Sequence, residues 1–146
     1  MSNPYKDFEP KWFVERPPQK SYRSVFKWGD PDFNKVPKEN LYKMIKSTFH
    51  LTDEDFGEYV SPLGLEEVHL DKPCALSDDV LARLRDIVGN DNVSTDDYDR
   101  VSVAYGKTMF DLLRLRQHIC DNVPDVVVYQ SDNTQIERIV ALCAEE

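Results

Sequence analysis

From position 37 onward the apolar residues recur mostly at helical spacing, and the breaks between stretches carry Gly, Pro or Asp. Residues 37–51 open with Pro37, which suits a first helical turn. They continue with Leu41, Met44, Ile45, Thr48 and Phe49 at 3.6-residue spacing. The stretch TDEDFGEYVSPLGLEEVHLDKP, 52–73, is acidic and interrupted by Gly and Pro, and reads as loop. Ser77 stands as an N-cap, with Asp78 and Asp79 in the first turn, where carboxylates complement the helix dipole. Val80, Leu81, Leu84, Ile87 and Val88 make the apolar stripe of that helix, and Gly89 is its stop. Asp96, Asp97 and Asp99 open a short helix that runs through Tyr105 and ends at Gly106. Residues 109–116 fit either a helix or an extended segment. Val126, Val127 and Val128 are a continuous β-branched run, the pattern of a strand buried on both faces. Ser131 is placed to cap a last helix whose buried face is Ile136, Ile139, Val140 and Cys143. The pattern predicts an α+β fold: an α-rich region followed by one strand–helix unit.

Residues 1–36 break this periodicity. They hold Pro4, Pro10, Pro17, Pro18 and Pro31 among Tyr5, Phe8, Trp12, Phe13, Tyr22, Phe26, Trp28 and Phe33. Proline interrupts helix and sheet ladders, while the aromatic rings carry apolar area that favours burial. The expectation is an extended arm lying on the surface of something larger, or, more simply, a tail without fixed structure. Three segments result: the arm at 1–36, a mainly helical region at 37–122, and the strand–helix unit at 123–146.

The 146 residues are enough for one domain with its own core. A net charge of −9 argues against binding nucleic acid or anionic membrane non-specifically, since both require a positive field. No apolar run approaches the ~20 residues of a membrane span. Cys74, Cys120 and Cys143 have neither disulfide-framework nor CxxC spacing, which points to a reducing cytoplasm.

Candidate chemistry is sparse. His50, His69 and His118 lack partners at i, i+4, so a metal site would need ligands converging from distant loops. Cys120 and Cys143 read as small apolar groups in a core. The run Ser94–Asp99 offers oxygen ligands but not the spacing or the glycine of an EF-hand, and reads better as a solvated helix start. Lys107, Arg114 and Arg116 form a small basic cluster that would suit a phosphate-bearing ligand, against the simpler alternative of pairing with nearby acids. No phosphate-cradling glycine loop and no GxSxG are present, and no catalytic residue is assigned.

DRVSVAYG (99–106) and VPDVVVYQSDNTQIERIVALCAEE (123–146) resemble the start of the FAD-binding domain of FAD-linked oxidases, the flavoproteins of the vanillyl-alcohol oxidase and p-cresol methylhydroxylase type. The family pattern is a Pro, a buried aliphatic strand, usually a second Pro, a Ser/Thr cap and a helix with V-x-x-I-V. Pro124, Val126, Val127, Val128, Ser131, Ile136, Ile139 and Val140 fit it; Gln130 stands where the second Pro is usual. KWGDPDF (27–33), the helix at 38–49 and DRVSVAYGKTMFDLLRLR are most similar to the alkylglycerone-phosphate synthase family.

The resemblance implies FAD as cofactor and a small organic substrate: a hydroxy acid, an alcohol or an alkylglycerone-phosphate-like ester. It also implies that the 123–146 unit opens an FAD-binding domain and is incomplete. In the family that unit is followed by a second strand and a glycine-rich loop holding the FAD pyrophosphate. No such loop is in this chain, and neither are the family's catalytic Tyr and His segments. The expected partners are therefore the remainder of the FAD-binding and substrate domains, in the same or a separate chain, with a homo-oligomer as a further way of completing the sheet. The chain alone is expected to be inactive and to bind FAD weakly or not at all. The rival reading is a non-enzymatic interaction module that docks a partner through its aromatic arm; a metal hydrolase stands a distant third. The terminus separates the first two. An incomplete unit leaves an unpaired edge at Val126, Val127 and Val128 and self-associates, whereas a stand-alone module closes its sheet.

Overall fold

The computed structural model describes residues 16–25, 38–55 and 62–146. Among them are six helices and one small sheet, an α+β arrangement. In chain order these are α1 (Tyr22–Val25), α2 (Glu39–Phe49), α3 (Asp78–Val88), a 3₁₀ turn (Asn90–Asn92), β1 (Val93–Ser94), α4 (Asp97–Ala104), α5 (Met109–Arg116), β2 (Val127–Val128) and α6 (Asn133–Glu145). No helix is long and apolar enough to cross a membrane among the described residues.

The capping chemistry explains most boundaries. Ser77 Oγ accepts the Val80 amide at 3.3 Å, and Gly89 closes α3 at φ 94°. Ser77→Ala is expected to cost about 1 kcal/mol, read as a lowered urea midpoint with unchanged slope. An unmoved midpoint would mean that this cap contributes nothing in solution. Asp96 caps α4 by accepting the Tyr98 and Asp99 amides. The helix alternative is the one realised at 109–116. Thr108 Oγ1 accepts the Asp111 amide at 3.1 Å while the Asp111 carboxylate accepts the Thr108 amide at 3.0 Å, a reciprocal capping box.

Several expectations are corrected. Part of the supposed arm is core: Tyr22 and Val25 lie three apart on a helical turn and bury one face of it against α4 and α5. The other aromatic residues of the arm, and Pro37, lie outside the described residues. The last helix is capped by Asp132, which accepts the Gln135 amide at 2.9 Å, and not by Ser131. Its buried face is also displaced. Leu142 is buried and Ile139 half-buried, while Ile136, Val140 and Cys143 are exposed. This helix is apolar around much of its circumference, so its neighbour α3 decides which stripe is covered. The strand is two residues, not three, with Val127 buried and Val126 and Val128 half-buried. It pairs antiparallel with β1, which the periodicity did not reveal, in the register Val93↔Val128 and Ser94↔Val127.

Two apolar clusters result. The first gathers Tyr22, Val25, Val68, Val101, Tyr105 and Leu115, joining α1, α4 and α5. The second gathers Val80, Leu84 and Leu142 with Ile87, Val93, Val126, Val128 and Ile139, joining α3, α6 and the sheet. α2 buries none of its residues; Leu41, Met44 and Phe49 of its apolar stripe are exposed.

Candidate functional site

Between the two clusters sits a charge. Arg100, on α4, is 1% exposed. Its Nε donates to the Pro124 carbonyl at 2.8 Å, and its Nη1 to the Lys72 carbonyl at 3.1 Å and to Asp97 Oδ1 at 3.2 Å. A buried guanidinium is tolerated only when hydrogen-bonded and paired. Here it ties the run into α3 and the run into β2 to one helix. Asp97 is held in turn by the Leu70 amide, which donates to its Oδ2 at 2.9 Å. The Asp-Arg pair of the DRVSVAYG motif thus divides two structural tasks. Asp99 accepts the Ser94 hydroxyl at 2.6 Å beside β1, and Arg100 staples the loops.

The acidic run at 94–99 is therefore committed to the fold. Asp96 also accepts from Lys20 Nζ at 2.7 Å, and that hydrogen bond holds its carboxyl below the usual carboxylate range. Among the described residues no group of three or more His, Cys, Asp or Glu converges as a metal site. The histidines go to three separate places. His50 is the left-handed C-cap of α2, at φ 55°. His69 lies with Nδ1 3.6 Å from Asp97 Oδ2. His118 stacks on the Tyr22 ring at 4.3 Å and faces Glu66 at 3.4 Å. Cys120 packs against the first cluster, where burial pushes its thiol up; Cys143, expected in a core, is exposed on α6.

The basic cluster dissolves. Arg114 pairs with Asp121 at 2.5 Å, the simpler alternative. Lys107 Nζ reaches the Ser102 carbonyl at 3.5 Å. Arg116 stands apart from both, half-buried, with a fully shielded Nε that has no hydrogen-bond partner.

The fit to FAD is tested most directly at the start of α6. The turn from Tyr129 to Asp132 contains no glycine. The Asp132 carboxylate takes the Gln135 amide, and Gln135 Oε1 takes the Ser131 amide at 2.8 Å. A carboxylate thus already caps α6, and this helix start offers no free anion site. The start of α6 does not fit the cofactor's phosphates, and no chemical step is derived through it.

What this region does present is apolar surface. Ile136, Val140 and Cys143 line an exposed stripe of α6, with Val140 62% exposed, and Tyr129 is exposed at the end of β2. Met109, Phe110 and Leu113 are exposed on α5, Phe110 at 79%. Among the described residues, no strand other than β1 pairs with β2.

The chain is similar to an alkyldihydroxyacetonephosphate synthase. The protein is that of Dictyostelium discoideum, 28% identical over 116 residues. The match covers 77% of this chain and 19% of the synthase. The chain is also 36% identical over 104 residues to protein Rv2250A of Mycobacterium tuberculosis, covering 69% of this chain and 64% of that one. It thus spans under a fifth of the synthase and just under two thirds of the other relative. No family model matches, and no solved structure matches significantly. Dihydroxyacetone phosphate and glycerone phosphate are the same compound, so the synthase bears out the family resemblance at the level of a distant relationship.

Proposed function

We propose that this chain is the N-terminal portion of an FAD-dependent oxidoreductase acting on a small organic substrate, such as a hydroxy acid, an alcohol or an alkylglycerone-phosphate-like ester. The observation that carries the reading is the similarity of 77% of the chain to a synthase of which it spans 19%. On this reading the chain supplies neither flavin ligands nor catalytic groups, and serves as a docking base for the domains that do. The apolar stripe of α6 and the second edge of β2 receive the next elements of the flavin domain. The exposed face of α5 would be covered by the same domains. An exposed patch of this kind marks an interaction surface in a soluble protein.

The test is direct. The purified chain, mixed with FAD and desalted, is expected to retain no stoichiometric flavin absorbance. It is expected to self-associate through α6, and Val140→Asp is expected to weaken that association at least tenfold. Retained stoichiometric flavin would overturn the assignment of the cofactor site to the remainder of the enzyme. Association unaffected by Val140→Asp would overturn the docking role of α6.

A second reading, a non-enzymatic interaction module, has one observation in its favour: the 104 matched residues make up 64% of protein Rv2250A, itself a short chain. A tight, cooperatively unfolding monomer that leaves the apolar stripe of α6 unused would favour it.

A further inference from the structure

Arg23 and Arg116 are far apart in sequence, but their backbones pack against Gly64. The Arg23 amide donates to the Gly64 carbonyl at 2.7 Å. Gly64 has φ 70°, and a Cβ there would be in ordinary contact with both backbones, 3.5 Å from Arg23 N and 3.6 Å from Arg116 Cα. Both arginines are half-buried, and neither forms an ion pair or a side-chain hydrogen bond among the described residues. Three other arginines have acid partners. Arg83 has Glu145 and Glu146, Arg100 has Asp97, and Arg114 has Asp121. The acid nearest in sequence to Gly64, Glu66, is turned to His118 at 3.4 Å.

The anomaly is electrostatic. With 27 acidic and 18 basic residues, acids outnumber bases, and Arg83, Arg100 and Arg114 each have an acid partner. Instead the backbones of two cations pack at Gly64, near enough for the Arg116 charge to act on Arg23. Burial draws both guanidinium groups below their ordinary values, and the Arg116 charge draws Arg23 down further. A like-charged pair held out of water is unfavourable unless an anion sits between its members. Two planar donor forks, one with a shielded and unsatisfied Nε, match the several oxygens of a phosphate better than they match any single hydrogen-bond acceptor.

We propose that Arg23 and Arg116 together bind the phosphate group of a small phosphorylated ligand, against the Gly64 backbone. The site stands on this geometry whether or not the flavoprotein reading holds. It also relocates the phosphate affinity that the sequence suggested for Lys107, Arg114 and Arg116: only the last of these takes part.

Inorganic phosphate is the probe, titrated into the whole chain at low ionic strength and followed by amide NMR shifts, with acetate as the carboxylate arm. The expected result is saturable phosphate binding at millimolar concentration, with shifts centred on residues 23, 64 and 116. Arg23→Gln and Arg116→Gln should each weaken it at least tenfold, and Arg114→Gln should leave it within twofold. Each Gln variant removes a repulsion, so both are expected to fold without phosphate, while phosphate raises the Tm of the wild type and not of the variants. Non-saturable shifts, or equal binding by both Gln variants, would overturn the site. Acetate binding within twofold of phosphate would overturn the phosphate assignment.

Discussion

Replacing Arg100 by methionine will destabilise the protein by about 3 kcal/mol, even though methionine keeps the apolar stem and removes a buried charge. The reason lies in the acceptors. Replacing both members of a buried ion pair with well-packed apolar groups is often neutral. Two of the three Arg100 acceptors, however, are the backbone carbonyls of Lys72 and Pro124, which no substitution removes. Each carbonyl left without a donor loses about 1–3 kcal/mol, and only part of this is recovered by sparing the guanidinium its burial. Arg100→Lys should rescue little, because an ammonium cannot present the planar fork that spans both carbonyls and Asp97. The measurement is chemical denaturation of the three proteins. A loss below about 1 kcal/mol for the methionine variant would show that the staple holds little of the fold.

Gly106→Ala is expected to cost roughly 4 kcal/mol, backbone strain and steric overlap adding together. Gly106 has φ 89°, and a Cβ there would stand 2.7 Å from the Val25 carbonyl oxygen. That oxygen is backbone and cannot swing aside. Gly89→Ala is the matched control. Its φ is 94°, but its Cβ would meet nothing nearer than Asn92 Nδ2 at 3.6 Å, so it bears the strain alone, about 2 kcal/mol. Equal losses in the two variants would sink the idea that α1 is seated on the Gly106 turn.

The parts of this fold legible in the sequence are those decided locally. Ser77, Gly89 and Asp96 each cap a helix within a few residues of themselves, and each stands where its chemistry places it. What was not legible depends on distant partners. β1 is two residues long, too short for any alternation to register, and exists because β2 pairs with it. The Arg100 burial is unreadable because a charge in a polar stretch looks like surface until the carbonyls that receive it are known. The stripe chosen on α6 followed i, i+3, i+4, i+7 spacing correctly as geometry, but Leu142 offered a competing stripe, and α3 covers that one. Arg116 was grouped in sequence with Lys107 and Arg114, whereas Arg23, which packs near it across Gly64, lies more than ninety positions away. The exposed acids of α2 and its loop illustrate the opposite case. Glu39–Lys43 and Lys46–Asp53 form as local pairs, yet such surface pairs say little about where a helix packs.

The seat of α1 has a consequence for the order of assembly. Tyr98 Oη reaches the Ser24 carbonyl across 74 positions, and Val25 lies in the same cluster as Leu115. As the chain is synthesised, Tyr22 and Val25 leave the ribosome first and wait exposed until nearly a hundred further residues have followed. The first cluster therefore closes late, by long-range contacts whose loop entropy must be met at once. In that interval the apolar turn at 22–25 is open to capture by chaperones or by other nascent chains.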